Sequence, residues 1–453
     1  MISAADRRRT TMKNQTFVYR IAALVSYPVG YFYVRYVLFG ITGTHEQIWP
    51  LLFSILLIAC VEVFCCAAGK SRSVLASCGQ SAGESVFFAA CALVQSIAYA
   101  VFGLRGDTFS VVQVFFWHFT LIYYILCRTG MLGAGRSGLL FPIDASEGLF
   151  CLPWSNLFLR LVSVFKKRPA DSAGTPHSQH SLRLRPQTAL TAVISILLAI
   201  AVCAFAWSEL SGVSSSFSSI GSSFSEFFQR LFQSESVLCF LLEFLPYFLL
   251  SIPVSAWLFG LTGGSLLQKE PPCTPKVLAK ETRWLHVLPS WSAHVILGAL
   301  TAVYLLFFAV SVREIGGQIL SFRLTVQEAC LYAVDGFWQL VRVVSLNFAL
   351  LLASCLFSRI PLWEDRRTRG LITVQFICSL LFGLLAFWKL FVLYLGTYGA
   401  TPRRILSGWM VIMLLLWTVL ALIRFYRRIP AARISVLAAA ASFSVLCLMP
   451  VFS

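Results

Sequence analysis

Charged residues are scarce in this sequence, and acidic residues are the scarcest. Of 453 residues, 12% are charged, with 19 Asp or Glu against 36 Lys or Arg, while 58% are hydrophobic. Soluble globular proteins carry about twice that share of charge. We therefore expect no folded soluble domain, and no segment outside a membrane that exceeds a long loop.

Motifs for nucleotide and metal chemistry are missing as well. The sequence has no G-x-x-x-x-G-K-[ST] loop and no H-E-x-x-H, which excludes ATP hydrolysis by a P-loop and a zincin-type metal site. None of the 14 cysteines forms a C-x-x-C pair, and most lie in apolar runs, which is typical of small packing residues. His177 and His180 form an H-x-x-H pair in a polar tract. Such a pair is more often without a ligand, so we predict no metal, no cofactor and no catalytic residues.

Long apolar runs are abundant. A transmembrane helix needs about 20 apolar residues, because the hydrocarbon core is roughly 30 Å thick and a helix rises 1.5 Å per residue. The runs are continuous rather than alternating, which argues against a β-barrel. We predict an all-α, polytopic transmembrane bundle with eleven spans, at 21–41, 48–69, 84–104, 108–128, 187–207, 238–260, 290–312, 337–357, 371–396, 407–425 and 433–452.

Basic residues alternate along these runs in a way that orients the chain. Lys and Arg concentrate in cytoplasmic loops of membrane proteins. With the N-terminus inside, 27 of the 36 basic residues fall in inner segments and six in outer ones. A missed or extra helix would scramble this pattern downstream, so the alternation favours both the count and a cytoplasmic N-terminus.

The formal net charge of +17 has the same origin. The charge is spread over six short segments that flank the membrane, where it is attracted to anionic inner-leaflet lipids. We therefore expect the lipid bilayer and anionic inner-leaflet lipids as partners, with a further membrane protein as an additional candidate, and no nucleic acid.

The chain divides into three predicted regions: four N-terminal spans (1–140), a cytoplasmic segment (141–186) and seven C-terminal spans (187–453). In the middle region, apolar residues at helical spacing predict an amphipathic helix over 154–165 in the headgroup layer. Residues 169–186 predict a flexible linker. A similar apolar stripe predicts a second surface helix in the outer loop 208–237.

Ionisable residues inside spans are candidate functional groups, because an isolated charge there costs about 2.5–3.5 kcal/mol. On the predicted outer side we expect a basic polar cavity that attracts an anion or a lipid headgroup. A structural ion pair between Glu243 and Lys389 is the alternative. The candidate cavity residues are Glu243, Lys389, Arg404, Arg342, Asp335 and Arg35.

Two further features bear on transport. Glu62 and His118 lie in the second and fourth runs and form a candidate proton relay, although a single His among aromatics is more often a packing residue. Pro246 and Pro253 lie in the sixth run, where proline kinks a helix, and broken helices often line transporter sites.

Three short motifs carry a family resemblance. Residues 394–404 read Tyr-Leu-Gly-Thr-Tyr-Gly-Ala-Thr-Pro-Arg-Arg. This stretch resembles a Tyr-Gly-Leu-Thr-x-x-Arg signature. Residues 332–340 resemble a Tyr-Ala-x-x-Gly-Phe-Phe-x-Leu helix entry, and residues 258–260 are similar too. The pattern belongs to bacterial membrane proteins classed as domain of unknown function 4153/4173. Ala400, Pro402 and Gln339 depart from it.

The resemblance implies an integral protein of the bacterial cytoplasmic membrane and no particular activity. Three functions stay open. The first is a permease-like or lipid- or anion-handling transport component. The second is a non-catalytic membrane partner of a sensor kinase or an ATP-driven exporter. The third is an intramembrane transferase that acts on lipid-linked substrates. By position, Thr401 is a candidate cap for the tenth helix or for a turn before it.

Overall fold

The computed structural model describes residues 4–40, 47–77, 79, 82–103, 107–165, 244–268, 270–286, 294–307, 310, 326–358, 362–396 and 399–449. Every secondary-structure element assigned within these ranges is a helix, which confirms the all-α prediction. In chain order the α-helices are α1 Ala4–Phe32, α2 Trp49–Ala67, α3 Arg72–Ser77, α4 Ala82–Phe102, α5 Asp107–Thr129, α6 Phe141–Ser146, α7 Leu152–Ser155, α8 Leu159–Phe165, α9 Leu245–Leu267, α10 Pro275–Glu281, α11 His294–Phe307, α12 Val326–Phe357, α13 Arg366–Trp388, α14 Pro402–Tyr426 and α15 Ala431–Cys447. Helices α1 and α13 continue as π-helical stretches, Tyr33–Leu38 and Lys389–Leu395, and a third π-helical stretch, Glu147–Cys151, joins α6 to α7.

Ten of the eleven predicted spans overlap described helices, and the remaining one, the fifth (187–207), lies outside the described residues. Within the described ranges, seven helices are long and apolar enough to cross a membrane: Thr16–Leu38, Trp49–Ala67, Ala82–Phe102, Thr108–Thr129, Leu245–Leu267, Arg366–Val392 and Pro402–Tyr426. Three apolar helices are shorter: His294–Phe307, Val341–Ser354 and Ala431–Cys447. The count of eleven and the orientation remain predictions.

The sixth predicted span ends later than expected. Helix α9, Leu245–Leu267, extends seven residues beyond the end of the predicted run 238–260. Residues 238–243 lie outside the described residues and Phe244 is π-helical, so the kink expected at Pro246 remains a prediction. Pro253 lies inside the helix.

The helix predicted over 154–165 is broken in two. Helix α7 ends at Ser155 and α8 begins at Leu159. The axis of the continuous helical stretch Phe141–Ser155 and the axis of α8 differ by 44°. The Asn156 side chain donates to the Leu152 carbonyl at 2.9 Å and so competes with the backbone for that acceptor. Pro153 lies in the first turn of α7, as predicted. The predicted linker 169–186 and the outer loop 208–237 lie outside the described residues, and the three-region division remains a prediction.

The chain forms two compact units. The first consists of residues 1–85, 122–131 and 145–270. In it α1 packs along α9 so closely that a Cβ on Gly30 would lie 2.8 Å from the Ser255 Cβ. The turn between α7 and α8 rests on α9, where a Cβ on Gly260 would lie 2.7 Å from the Pro153 carbonyl oxygen. Small residues on α9 thus allow this approach.

The second unit consists of residues 86–121, 132–144 and 271–453. Helices α12, α13 and α14 pack together in it, around a core that includes Phe337, Phe382 and Val411. The π-helical stretch after α13 packs against α12 and α14, so Lys389 and Leu390 at its start are buried.

Side chains mark where two of these helices begin. The Asp365 carboxylate accepts hydrogen bonds from the Thr368 hydroxyl at 2.7 Å and backbone N–H at 3.2 Å, which caps α13 and lowers the pKa of Asp365. Thr401 is the N-cap residue of α14 by position. Its backbone has the extended conformation of an N-cap residue, but its side chain makes no capping hydrogen bond.

Candidate functional site

The structure places four of the six predicted cavity residues in described side-chain surroundings. In the second unit, Lys389 is buried, Arg404 is partly buried and Arg342 is exposed. Arg35 lies in the first unit, where its guanidinium stacks 4.5 Å from the Tyr247 ring centroid.

The other two cavity residues have no described side chain. Glu243 lies outside the described residues, and for Asp335 only its place in the backbone of α12 is described. The polar cavity and the ion pair between Glu243 and Lys389 therefore remain predictions.

Lys389 is the first residue of the π-helical stretch Lys389–Leu395, and only 5% of it is exposed. It lies seven residues before Gly396, where the described helical stretch ends. The stretch packs against α12 and α14. A π-helical turn inserts an extra residue into the helix and often marks a functional position. Lys389 is thus a buried lysine at an irregular position of its span.

Arg403 and Arg404 follow at that same end of the α13–α14 pair. Gly399 takes a φ of +73°, a left-handed conformation that glycine adopts without a steric penalty, and the chain reverses there. Arg404 donates from Nη1 to the Gly399 carbonyl at 2.8 Å, which holds the guanidinium over the turn. Arg403 and Arg404 therefore lie at the end of the α13–α14 pair to which Lys389 is nearer in sequence.

Glu62 belongs to a network at the end of α2. Its two carboxylate oxygens accept from Arg72 Nη2 and Arg128 Nε, each at 2.8 Å, and the Tyr124 hydroxyl donates to Oε1 at 3.1 Å. Arg128 has no exposed side-chain area, whereas Glu62 is 25% exposed. The carboxylate therefore neutralises a cation that has left solvent.

Backbone carbonyls complete this network. Arg128 Nη1 donates to the Lys70 carbonyl at 2.8 Å, and Lys70 Nζ donates to the Thr129 carbonyl at 2.9 Å. Both acceptors lie at helix C-termini, where carbonyls lack intrahelical partners and cations are favoured. The crossed bonds tie the end of α2 to the end of α5. The arrangement is that of a structural lock.

His118 belongs to the second unit, where its Nδ1 lies 2.7 Å from the Val114 carbonyl in the same helix, and its ring packs against Trp117. Glu62 is held by Arg72, Arg128 and Tyr124 in the first unit. The proton relay between Glu62 and His118 remains a prediction.

Sequence reasoning missed a buried amide network in the second unit. Asn347 Oδ1 accepts from the Tyr304 hydroxyl at 2.8 Å and from Gln375 Nε2 at 2.7 Å, and Asn347 Nδ2 donates to Ser379 Oγ. All four side chains are at most 4% exposed. Single Asn and Gln residues in otherwise apolar runs were the available signal.

One atom of this network is left over. Gln375 Oε1 is buried and has no hydrogen-bond partner. An unsatisfied buried acceptor costs about 1–3 kcal/mol. The arrangement recurs at Gln95, whose Nε2 donates to Ser444 at 3.0 Å and Thr120 at 3.4 Å while its Oε1 has no partner. The second unit thus contains polar groups inside its apolar bundle.

A catalytic-type pattern was also missed. Residues 79–83 read Gly-Gln-Ser-Ala-Gly, the G-x-S-x-G pattern of a nucleophile elbow. An elbow places its serine between a strand and a helix. Here the short helix α3 precedes the pattern, and Ser81 lies outside the described residues. The required strand-to-helix context is therefore not met by α3.

Acidic, histidine and cysteine side chains do not gather elsewhere in the described part of the chain. Within it, no group of three or more such residues could hold a metal ion. His177 and His180 lie outside the described residues.

A bundle of long apolar helices with buried polar networks is the architecture of a multi-pass membrane protein. Residues 89–452 match the model of a family described as a domain of unknown function, DUF4153. The chain belongs to this family. The match begins well before the motifs at 258–260, 332–340 and 394–404 that carry the resemblance. No curated protein and no solved structure matches this chain.

Proposed function

We propose that this protein is a transport component of the bacterial cytoplasmic membrane that handles an anion or the anionic headgroup of a lipid. The observation that carries the proposal is Lys389, a buried lysine in a π-helical stretch of a membrane span. Membership of the DUF4153 family is compatible with this role and assigns no activity.

The cost of burying Lys389 supports a functional role. A charged side chain within the apolar part of a span costs about 2.5–3.5 kcal/mol, so such residues are rare and often mark ligand pathways. An apolar residue at this position would pack in the bundle without that cost. The local π-helical geometry points the same way, because it departs from the regular helix at the position of the charge.

The neighbouring cations define the ligand's charge. Arg403 and Arg404 begin α14 at the helix end to which Lys389 is closest. Basic side chains at one end of a helix pair attract anions to that end. A phosphate group suits this set, because guanidinium and ammonium groups both donate charge-assisted hydrogen bonds to its oxygens. The predicted threading puts this end on the outer side of the membrane.

Binding of an anionic lipid tests the proposal. The purified protein in a zwitterionic detergent would be titrated with phosphatidylglycerol and, separately, with phosphatidylcholine, and the bound lipid counted by native mass spectrometry. We expect preferential retention of phosphatidylglycerol, its loss in Lys389→Met, and its persistence in Lys389→Arg. A parallel titration with inorganic phosphate separates a free anion from a lipid headgroup.

The matched control is Arg369→Met, which removes a cation from the other end of the same apolar stretch, where Arg369 stacks 5.5 Å from the Tyr426 ring centroid. This variant should bind like the unmodified protein. Equal retention by the unmodified protein and Lys389→Met of both phosphatidylglycerol and phosphate would rule out Lys389 as the binding group.

A further inference from the structure

One end of the first unit coincides with the limits of two predicted apolar runs. Tyr27 of α1 contacts Phe248 of α9, and one turn further along α1 Tyr31 contacts Phe244, one turn further back along the chain. The two helices are therefore antiparallel, so the start of α1 lies on the same side as the end of α9. The beginning of the first predicted run and the end of the sixth then mark the same face of the membrane.

The break between α7 and α8 lies at this face. Gly260, the last residue of the sixth predicted run, packs against the Pro153 carbonyl beside the break. Arg160 of α8 bonds to Ala23, the third residue of the first predicted run. Trp154 is 55% exposed, and tryptophan is enriched at membrane–water interfaces. Lipid headgroups lie just outside the hydrocarbon core, so α8 lies at the level of their phosphates.

Arg160 is held at this level by two contacts with α1. Its Nε donates to the Ala23 carbonyl at 3.1 Å, and its Cζ lies 5.1 Å from the Tyr27 ring centroid. The Tyr27 hydroxyl donates to the Phe248 carbonyl at 3.1 Å, which fixes the ring against the guanidinium. These contacts use Nε and one face of the planar group, and they leave the edge formed by Nη1 and Nη2.

The charge of Arg160 is not neutralised within the described part of the chain. Among the described residues, no acceptor bonds to its Nη1 or Nη2 and no carboxylate pairs with it. In Arg128 of the same unit all three nitrogens are hydrogen bonded, one of them to the Glu62 carboxylate, and the side chain has no exposed area. Arg160 is partly exposed, so a molecule at the protein surface can reach it.

We propose that the Nη1–Nη2 edge of Arg160 binds the phosphate group of a membrane phospholipid. A guanidinium donates two parallel N–H groups to two phosphate oxygens. Leu161 and Phe165 of the same helix are 49% and 81% exposed and give the acyl chains an apolar surface, which favours a lipid over a free phosphate. Zwitterionic and anionic phospholipids share the phosphodiester, so this contact needs no net charge on the lipid. The site lies in the first unit and does not depend on the proposed role of Lys389.

Binding of phosphatidylcholine, which has no net charge, tests this site separately from Lys389. The purified protein in a nonionic detergent would be titrated with this lipid, and the affinity of the tightest-bound molecule measured by native mass spectrometry. We expect this affinity to fall about tenfold in Arg160→Met, the change that the loss of one hydrogen bond of a charged group produces. Lys389→Met should leave it unchanged.

Two further variants separate a phosphate site from misfolding and from general surface charge. Arg160→Lys keeps the cation and the long stem but cannot present two parallel N–H groups, so it should also weaken binding. Arg20→Met removes an exposed cation three residues before Ala23, at the same end of α1, and should bind like the unmodified protein.

Glycerophosphocholine, the same headgroup without acyl chains, would be titrated in parallel and should not bind. The proposal is overturned if both Arg160 variants bind phosphatidylcholine like the unmodified protein. It is also overturned if Arg20→Met or Lys389→Met weakens binding as much as Arg160→Met. Glycerophosphocholine binding as tightly as phosphatidylcholine would contradict it as well, because the phosphate would then come from solution rather than from a lipid.

Discussion

Replacing Arg128 with methionine is the sharpest test of the network at the end of α2. The substitution keeps the volume of the aliphatic stem but removes a fully buried guanidinium, together with its bonds to Glu62 and to the Lys70 carbonyl. Glu62 keeps Arg72 and Tyr124 as partners and is 25% exposed, so the carboxylate is not stranded.

The expected magnitude follows from these contacts. A hydrogen bond to a charged group contributes about 1.5–3 kcal/mol, and breaking a buried ion pair from one side costs about 3–5 kcal/mol. Because Glu62 retains Arg72 and some solvent, the loss for Arg128→Met should lie near the lower limit, at about 3 kcal/mol. The free energy of unfolding would be measured by denaturant titration in detergent micelles.

Arg72→Met is the matched control, since Arg72 binds the same carboxylate but is 46% exposed. Its loss should be below about 1 kcal/mol, as for surface ion pairs. A double-mutant cycle between Arg128→Met and Glu62→Gln should give a coupling energy of at least about 1 kcal/mol. A coupling near zero, or equal losses for the two arginines, would refute the structural lock.

Two smaller predictions concern packing and helix capping. Gly260→Ala should destabilise the protein by about 1–3 kcal/mol, because its Cβ would lie 2.7 Å from the Pro153 carbonyl oxygen. Gly298→Ala should raise stability slightly, because no atom lies within 4 Å of its Cβ. Thermal unfolding measures both variants in the same assay. The hydrogen bonds from Thr368 lower the pKa of Asp365 in the folded protein below its ordinary value of 3.8. The free energy of unfolding lost in Asp365→Ala should therefore be constant above pH 3.8. This loss should shrink as the pH falls through the lowered pKa of the folded protein.

Each of these predictions has a distinct contradicting result. Equal melting temperatures for Gly260→Ala and Gly298→Ala would show that the turn after α7 does not rest on α9. For Asp365, Asp365→Asn keeps a side-chain cap without a titrating group. The reasoning fails if the stability difference between the unmodified protein and Asp365→Ala grows as the pH is lowered.

Hydrophobic length was sufficient to predict most helices but not their registers. Continuous apolar runs predicted α2, α4 and α5 within a few residues, because the run and the helix have the same limits there. Helix α9 ends at Leu267, seven residues beyond the predicted run, because small residues such as Gly263 and Gly264 lower the hydropathy without ending the helix. Hydropathy does not contain that information.

The candidate site was only partly predictable for a related reason. Lys389 could be identified as a charge within an apolar run, and the structure shows that it is buried. The partners of Glu62 could not be identified, since Arg128 is 66 residues away in sequence. Gln375 and Asn347 were overlooked because uncharged amides barely lower the hydropathy of a run, although they cost free energy when buried alone.

Movement of an anion by the reconstituted protein tests the central claim most directly. Proteoliposomes would be loaded with phosphate, or prepared with fluorescently labelled phosphatidylglycerol in one leaflet, and transfer across the bilayer would be followed over time. The account predicts transfer of one of these probes above that of protein-free liposomes, abolished in Lys389→Met and retained in Lys389→Arg and Arg369→Met. Transfer no faster than in protein-free liposomes, or unaffected by Lys389→Met, would contradict it.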